Sequence, residues 1–163
     1  MASKVQSSTF LISNALAHSN ILLHLAGKTR TEVLRELVCA FPTDQAGLRD
    51  QLFAAVQARE ELCSTAIDGG VAIPHSRQAI SRLVERPVIV FARHSTGIDF
   101  GAEDHQPTRL FFLLCADGIG PHLRMLSRLS RLLRSSGLRE QLMQAATSEE
   151  VLVAIRNEEA HLG

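Results

Sequence analysis

The chain has 163 residues, 45% of them hydrophobic, and its 17 basic side chains balance 17 acidic ones. That is enough apolar material for a real core, and residues 1–163 are read as a single domain. A neutral chain without tryptophan or tyrosine offers neither the basic field nor the stacking surfaces of a nucleic-acid binder, and no apolar run has the length of a membrane span or the pattern of a signal segment.

Met1 to about Ser8 is small and polar and is expected to be disordered. Ile21–Leu25 is a short apolar run ended by Gly27, a predicted strand. Thr31 is placed to cap a helix with Val33, Leu34, Leu37, Val38 and Phe41 on one face, stopped by Pro42. Thr43 or Asp44 caps the next helix, with Leu48, Leu52, Phe53 and Val56 inward and Arg59 near its end. Val71–Ile73, Pro87–Ala92 and Thr108–Cys115 are the best strands. The last is almost continuously apolar, as a central strand covered on both faces must be. Ser95–Gly101 and the polar run to Pro107 read as turns. After Pro121 the period becomes helical. Leu123, Met125, Leu126, Leu129, Leu132 and Leu133 share one half of the wheel, and Arg124, Arg128, Arg131 and Arg134 form a solvated stripe on the other. Gly137 ends that helix, Leu138–Ala146 forms a short helical segment, and Thr147-Ser148-Glu149-Glu150 is a capping box that opens the last one. Helices before, between and after a few buried strands predict an α/β domain with helices on both sheet faces.

Several chemistries are excluded. No Gly-x-x-x-x-Gly-Lys loop cradles a nucleotide phosphate. No Cys-x-x-Cys or His-x-x-x-His spacing supports a metal site, and no Gly-x-Ser-x-Gly elbow supports acyl transfer. No cofactor is implied. Cys39, Cys63 and Cys115 are odd in number and widely spaced, as free thiols in a reducing cytoplasm are. His18, His24, His94, His105 and His161 lack supporting spacing and read as surface or loop residues.

The remaining chemistry gathers in residues 59–75. Here an amphipathic helix ends at Arg59-Glu60-Glu61-Leu62, a polar loop with Ser64, Thr65, Gly69 and Gly70 follows, and an apolar strand stops at Pro74-His75. Proline ends the ladder and fixes φ, so the imidazole of His75 stands at a strand end with little freedom. A restrained, approachable nucleophilic nitrogen is what a phosphohistidine carrier needs.

Arg59-Glu60, Ser64-Thr65 and Gly70-Val71-Ala72-Ile73-Pro74-His75 resemble the active-site region of the enzyme IIA domains of the bacterial phosphotransferase system, fructose/mannitol/nitrogen class. Gly27-Lys28…Glu32-Val33-Leu34, Ile98-Asp99-Phe100, Phe112-Leu113-Leu114, the leucine series from His122 and Ser148–Leu152 resemble other blocks of that class in the same order. Together they span about Leu11 to Ile155. The resemblance implies a mixed β-sheet flanked by helices, the mannitol-type fold. It implies that His75 accepts a phosphoryl group from an HPr-like carrier, then passes it to a cysteine of a IIB partner or reports its state to regulatory partners. It also implies that His122 is the second active-site histidine, that Arg59 holds phosphoryl oxygens, and that Thr65 and the Gly70 loop assist. A chain of domain size without transporter or IIB segments points to the nitrogen-regulatory branch. Two alternatives stay open, a sugar-transport IIA and a non-catalytic binding module of the same fold. The second is favoured by one departure, Ala66-Ile67-Asp68 where the class usually has Gly-Ile-Gly. An aspartate beside the acceptor would repel phosphate, and Ala66 would be strained at positive φ.

Overall fold

Alternation along one strand sets the layers. In β5 (Thr108–Cys115), Leu110, Phe112 and Leu114 join one buried cluster, and Phe111, Leu113 and Cys115 join the other. Successive side chains of a strand point to opposite faces, so a run this apolar demands cover on both. The computed structural model describes residues 10–78, 80 and 83–162; the N-terminal stretch expected to be disordered lies outside them. One face of the sheet carries α1 (Arg30–Cys39) and α2 (Ala46–Leu62). The other carries α3 (Ile119–Leu132), α4 (Ser136–Gln144), α5 (Ser148–Leu162) and a 3₁₀ turn at Ile12–Ala15. This is the mixed sheet with helices on both faces that the sequence implied.

The five strands lie in the order β1 (Ile21–Leu22), β4 (Val88–Ile98), β5, β3 (Val71–Ala72), β2 (Ala66–Ile67). β4 and β5 pair antiparallel through the centre, β1 joins β4 in parallel, and β3 joins β5 in parallel. Both edges are two residues long, which leaves little unpaired backbone to template association. Two aromatic pairs brace the layers, Phe91 with Phe112 (centroids 5.1 Å apart) on one face and Phe100 with Phe111 (5.3 Å) on the other. Each adds about 1 kcal/mol beyond its area burial.

Several predicted boundaries move. Thr29, not Thr31, caps α1, because Glu32 at the third helical position completes a capping box with it. The start of α2 has no side-chain cap; Thr43 instead accepts the Gln45 amide within the turn before it. Of the predicted first strand only Ile21–Leu22 is β. Ser95–Ile98 is not a turn but the end of β4, beyond a register shift after Arg93. There the ring of His94 accepts the Gly97 amide at 2.9 Å and donates to the Gly27 carbonyl at 2.9 Å. His94 is therefore buried structure, not a surface residue. Gly137 lies inside α4, whose cap is Ser135. Leu123, placed on the inner half of the wheel, is exposed, and Arg128 leaves the solvated stripe to pair with buried Glu159 at 3.2 Å. No helix among the described residues is long and apolar enough to cross a membrane.

Candidate functional site

The site forms where the parallel β3–β5 pair runs out. His75 bridges Leu114 at the end of β5, and the Leu114 amide donates to the Pro74 carbonyl at 3.0 Å. Pro74 is buried beneath this contact, so the His75 backbone is fixed from below. The ring is fixed as well, with Nδ1 2.8 Å from the Ile73 carbonyl oxygen. A carbonyl only accepts, so Nδ1 must carry the hydrogen, which leaves the lone pair on Nε2. In parallel sheets the carboxyl ends of the strands are where ligands are met.

β5 leads through Asp117-Gly118 into α3, which brings His122 to the same place. The two imidazoles are half-buried, their centroids 5.0 Å apart and their planes tilted by 53°. The helix begins three residues earlier than Pro121-His122 suggested. The His122 amide already donates to the Gly118 carbonyl at 3.1 Å, so the unpaired first-turn amides belong to Ile119 and Gly120. Proline is tolerated in this first turn because its missing N–H has no partner there anyway.

Arg59 arrives from the last turn of α2. One guanidinium nitrogen donates to the Cys63 carbonyl at 2.6 Å, which stiffens the side chain and leaves the rest of the fork free. Burial holds the His75 ring below the ordinary histidine range, the Ile73 hydrogen bond opposes that, and the Arg59 charge pushes it further down. Burial, then the neighbouring His75, lowers His122 in the same direction. Both shifts favour the neutral imidazole at pH 7.

A consequence for stability follows from the direction of these shifts. With folded pKa values below the unfolded value of about 6.5, the unfolded chain binds more protons once the pH falls through that region. Stability is retained above about pH 6.5 and declines as the pH drops towards the lowered folded values. Urea midpoints measured between about pH 7 and pH 5 should fall, and His75→Gln/His122→Gln should flatten the decline. An equal slope in the double variant would show that other groups carry it.

Two expected contributors are engaged in other contacts. Thr65 is buried and its hydroxyl donates to Glu60 at 2.6 Å, so that hydrogen is not available to a phosphoryl oxygen. Gly70 sits in the β2–β3 turn, where its carbonyl accepts the amides of Arg109 and Leu110. His75 is opposite Leu114 instead, so the turn lies about 13 Å away along the strand. Asp68 belongs to that remote turn, and so does not face the ring. Gly69 and Gly70 take the positive φ values there, 94° and 79°, while Ala66 does not. A Cβ on Gly69 would also meet Arg139 at 2.9 Å.

Other features escaped the sequence reading. Glu60 is buried although its neighbour Glu61 is exposed. Leu62, Ile119 and Leu123 are exposed apolar side chains on the two elements that supply Arg59 and His122; unpaired apolar residues at helix ends were the available signal. A cavity of about 420 Å³ adjoins Arg59, lined also by Ala55, Leu62, Arg77 and Gln78. Cys115 lies just past Leu114, but complete burial pushes its thiol far up and removes it from any thiolate chemistry.

Comparison with known proteins shows the family. Residues 14–158 match the family described as phosphoenolpyruvate-dependent sugar phosphotransferase system, EIIA 2. The chain is 36% identical over 152 residues to the fructose-specific EIIABC component of Bacillus subtilis, covering 90% of this chain but only 23% of that protein's length. It is 34% identical over 143 residues to the nitrogen regulatory protein of Bradyrhizobium diazoefficiens, covering 86% of this chain and 91% of that one. The crystal structure of the nitrogen regulatory protein IIA-Ntr from Neisseria meningitidis superposes with a TM-score of 0.79 at 30% identity, over 88% of this chain and 98% of the other. IIA mannitol from Escherichia coli superposes with a TM-score of 0.71 at 23% identity, over 86% and 98% of the two chains, a likeness of fold. The chain therefore belongs to the EIIA 2 family of the phosphoenolpyruvate-dependent sugar phosphotransferase system, a family of phosphocarrier domains.

Proposed function

We propose that this protein carries phosphate on Nε2 of His75. The observation that carries the reading is the Nδ1···Ile73 contact, which commits one nitrogen as a donor and leaves the other as the nucleophile. The Nε2 lone pair attacks phosphorus in line as the bond from phosphorus to the donor carrier's histidine breaks. The donor ring returns to its neutral form. The positive charge that develops on the His75 ring is stabilised through its Nδ1–H bond to the Ile73 carbonyl. Transfer of this kind has a loose transition state, so the protein's work is positioning and charge stabilisation. Arg59 faces the equatorial oxygens, and the neutral His122 ring donates one hydrogen bond. The donor in this reading is a small HPr-like phosphocarrier.

Incubation with phosphoenolpyruvate, enzyme I and such a carrier should give one acid-labile, base-stable phosphate, and ¹⁵N–³¹P coupling should place it on Nε2. Phosphorus on Nδ1, or no uptake from several cognate carriers, would overturn the reading. Of the Ala66-Ile67-Asp68 departure, Asp68 lies in the remote β2–β3 turn and Ala66 sits in β2 without positive φ, which supports a competent carrier.

The regulatory branch is the reading we favour, because the IIA-Ntr structure superposes at a higher TM-score and identity than IIA mannitol, 0.79 and 30% against 0.71 and 23%. Identity to the fructose-specific EIIABC component supports a second reading, delivery to a IIB cysteine. Mixing the phosphorylated protein with a fructose-type IIB domain decides between them. Rapid transfer to its cysteine supports transport, and retention on His75 supports regulation.

A further inference from the structure

We infer that Glu60 is a positioning residue for the phosphoacceptor, acting through a hydrogen-bond chain that ends on the imidazole. The inference rests on His75 being the acceptor. Glu60 is 4% exposed, and among the described residues no cationic side chain lies within ion-pair distance of it. A buried carboxylate without a cation is costly unless hydrogen bonds hold it. Glu60 has two, both from Thr65: the amide donates to one oxygen at 2.8 Å and the hydroxyl to the other at 2.6 Å. Both side-chain oxygens of Glu60 are thus given to one residue, which ties the position of Thr65 to the end of α2.

The chain of contacts shows the task. The Thr65 carbonyl accepts the Ile73 amide at 3.1 Å, and the Ile73 carbonyl accepts Nδ1–H of His75 at 2.8 Å. Both polar groups of residue 73 are thus committed, one towards Glu60 and one towards the reactive ring. Glu60 is also covalently joined to Arg59 in the last turn of α2. One side chain therefore registers the cation and the nucleophile against each other. Without it, the Thr65 segment loses its anchor on α2, the Ile73 peptide loses its fixed partner, and the ring is free to exchange tautomers. Since loosely held reactants forfeit most of the benefit of proximity, the rate of transfer depends on that anchor.

The test compares the full chain with Glu60→Leu, Glu60→Gln and Thr65→Val. Long-range ¹H–¹⁵N spectra of the unphosphorylated proteins report the His75 tautomer. Single-turnover transfer from the phosphocarrier separates the saturating rate from the half-saturating carrier concentration. The wild type should show one tautomer, protonated on Nδ1. Glu60→Leu should show a mixture and a saturating rate lower by about tenfold or more, with half-saturation changed by less than about twofold. Glu60→Gln keeps an oxygen for the Thr65 amide and should recover to within about threefold of the wild-type rate. A folded Glu60→Leu protein with the wild-type tautomer and rate overturns the inference. If Glu60→Leu does not fold, Thr65→Val decides, since it removes only the hydroxyl bond: a rate about threefold lower with partial tautomer mixing supports the chain of contacts, and wild-type values overturn it. A wild type that takes up no phosphate overturns His75 as acceptor, while the tautomer comparison still reports whether Glu60 holds the ring.

Discussion

Replacing His75 with alanine is expected to abolish uptake of acid-labile phosphate, and replacing Arg59 with glutamine to slow it about 100-fold. The first effect is absolute because His122, the other ring at the site, donates rather than accepts in the proposed geometry. The second follows from the transition state. Charge spreads over three equatorial oxygens while bonds to both nitrogens are long, so a fixed cation contributes more there than in either ground state. Arg59 fits that part because its Cys63 hydrogen bond pre-orders the side chain. Arg59→Lys keeps a charge but loses the planar fork, and should fall between the two. Quenched-flow transfer from a labelled carrier measures the rates. NMR titration supplies an independent reading, since the Arg59 charge lowers the His75 pKa and its removal must let that pKa rise. Phosphate retained by the His75→Ala protein would place the acceptor elsewhere, and an unchanged rate in Arg59→Gln would remove the guanidinium from the mechanism.

Where burial is uniform the sequence was a reliable guide, and where a polar group is buried it was not. Thr108–Cys115 was bounded to the residue because an unbroken apolar run fits only a strand covered on both faces. His75, His122 and Arg59 stood out in the sequence because a proline, a helix start and a helix end flank them in an ordered series of motifs, and the fold brings the two rings together. The true cap of α1 was legible too: Thr29-x-x-Glu32 is a complete capping box, whereas Thr31 has no acidic partner at that spacing. Ser95–Ile98 was misread because its polar residues resemble turn chemistry until the ring of His94 is seen to accept the amide of Gly97. Thr65 and Gly70 were assigned to the site because they lie near His75 in sequence. The β3 strand separates the Gly70 turn from His75, whereas Thr65 stays beside Ile73 with its hydroxyl drawn inward by Glu60. Such contacts join residues with no shared period, so no pattern along the chain announces them.

Arg93 is the largest of these hidden contacts, and replacing it with methionine should cost about 3–4 kcal/mol of stability. It occupies β4 on the face of Ile89 and Phe91, where the alternation calls for another apolar residue. Instead its guanidinium, almost fully buried, donates to the carbonyls of Leu142, Met143 and Ala145 at 3.0, 3.0 and 2.6 Å and to Leu23 at 3.2 Å. The first three end α4, where unpaired carbonyls and the negative end of the helix dipole favour a cation. The fourth lies just past β1, so one side chain ties a sheet edge to a helix end across the layer. Methionine preserves most of the stem volume but leaves these acceptors buried and unpaired, and the desolvation cost of each is then uncompensated. For a chain of this size the loss corresponds to a fall in Tm of about 10 °C. Arg93→Lys keeps the charge without the fork and should recover only part of it. Arg93 pairs with Leu110, at the far end of β5 from His75, so phosphoryl transfer well below Tm should be unaffected. Urea denaturation followed by circular dichroism measures the loss. A change below about 1 kcal/mol would mean that the ends of α4 and β1 find other partners, and that the guanidinium is not what joins them.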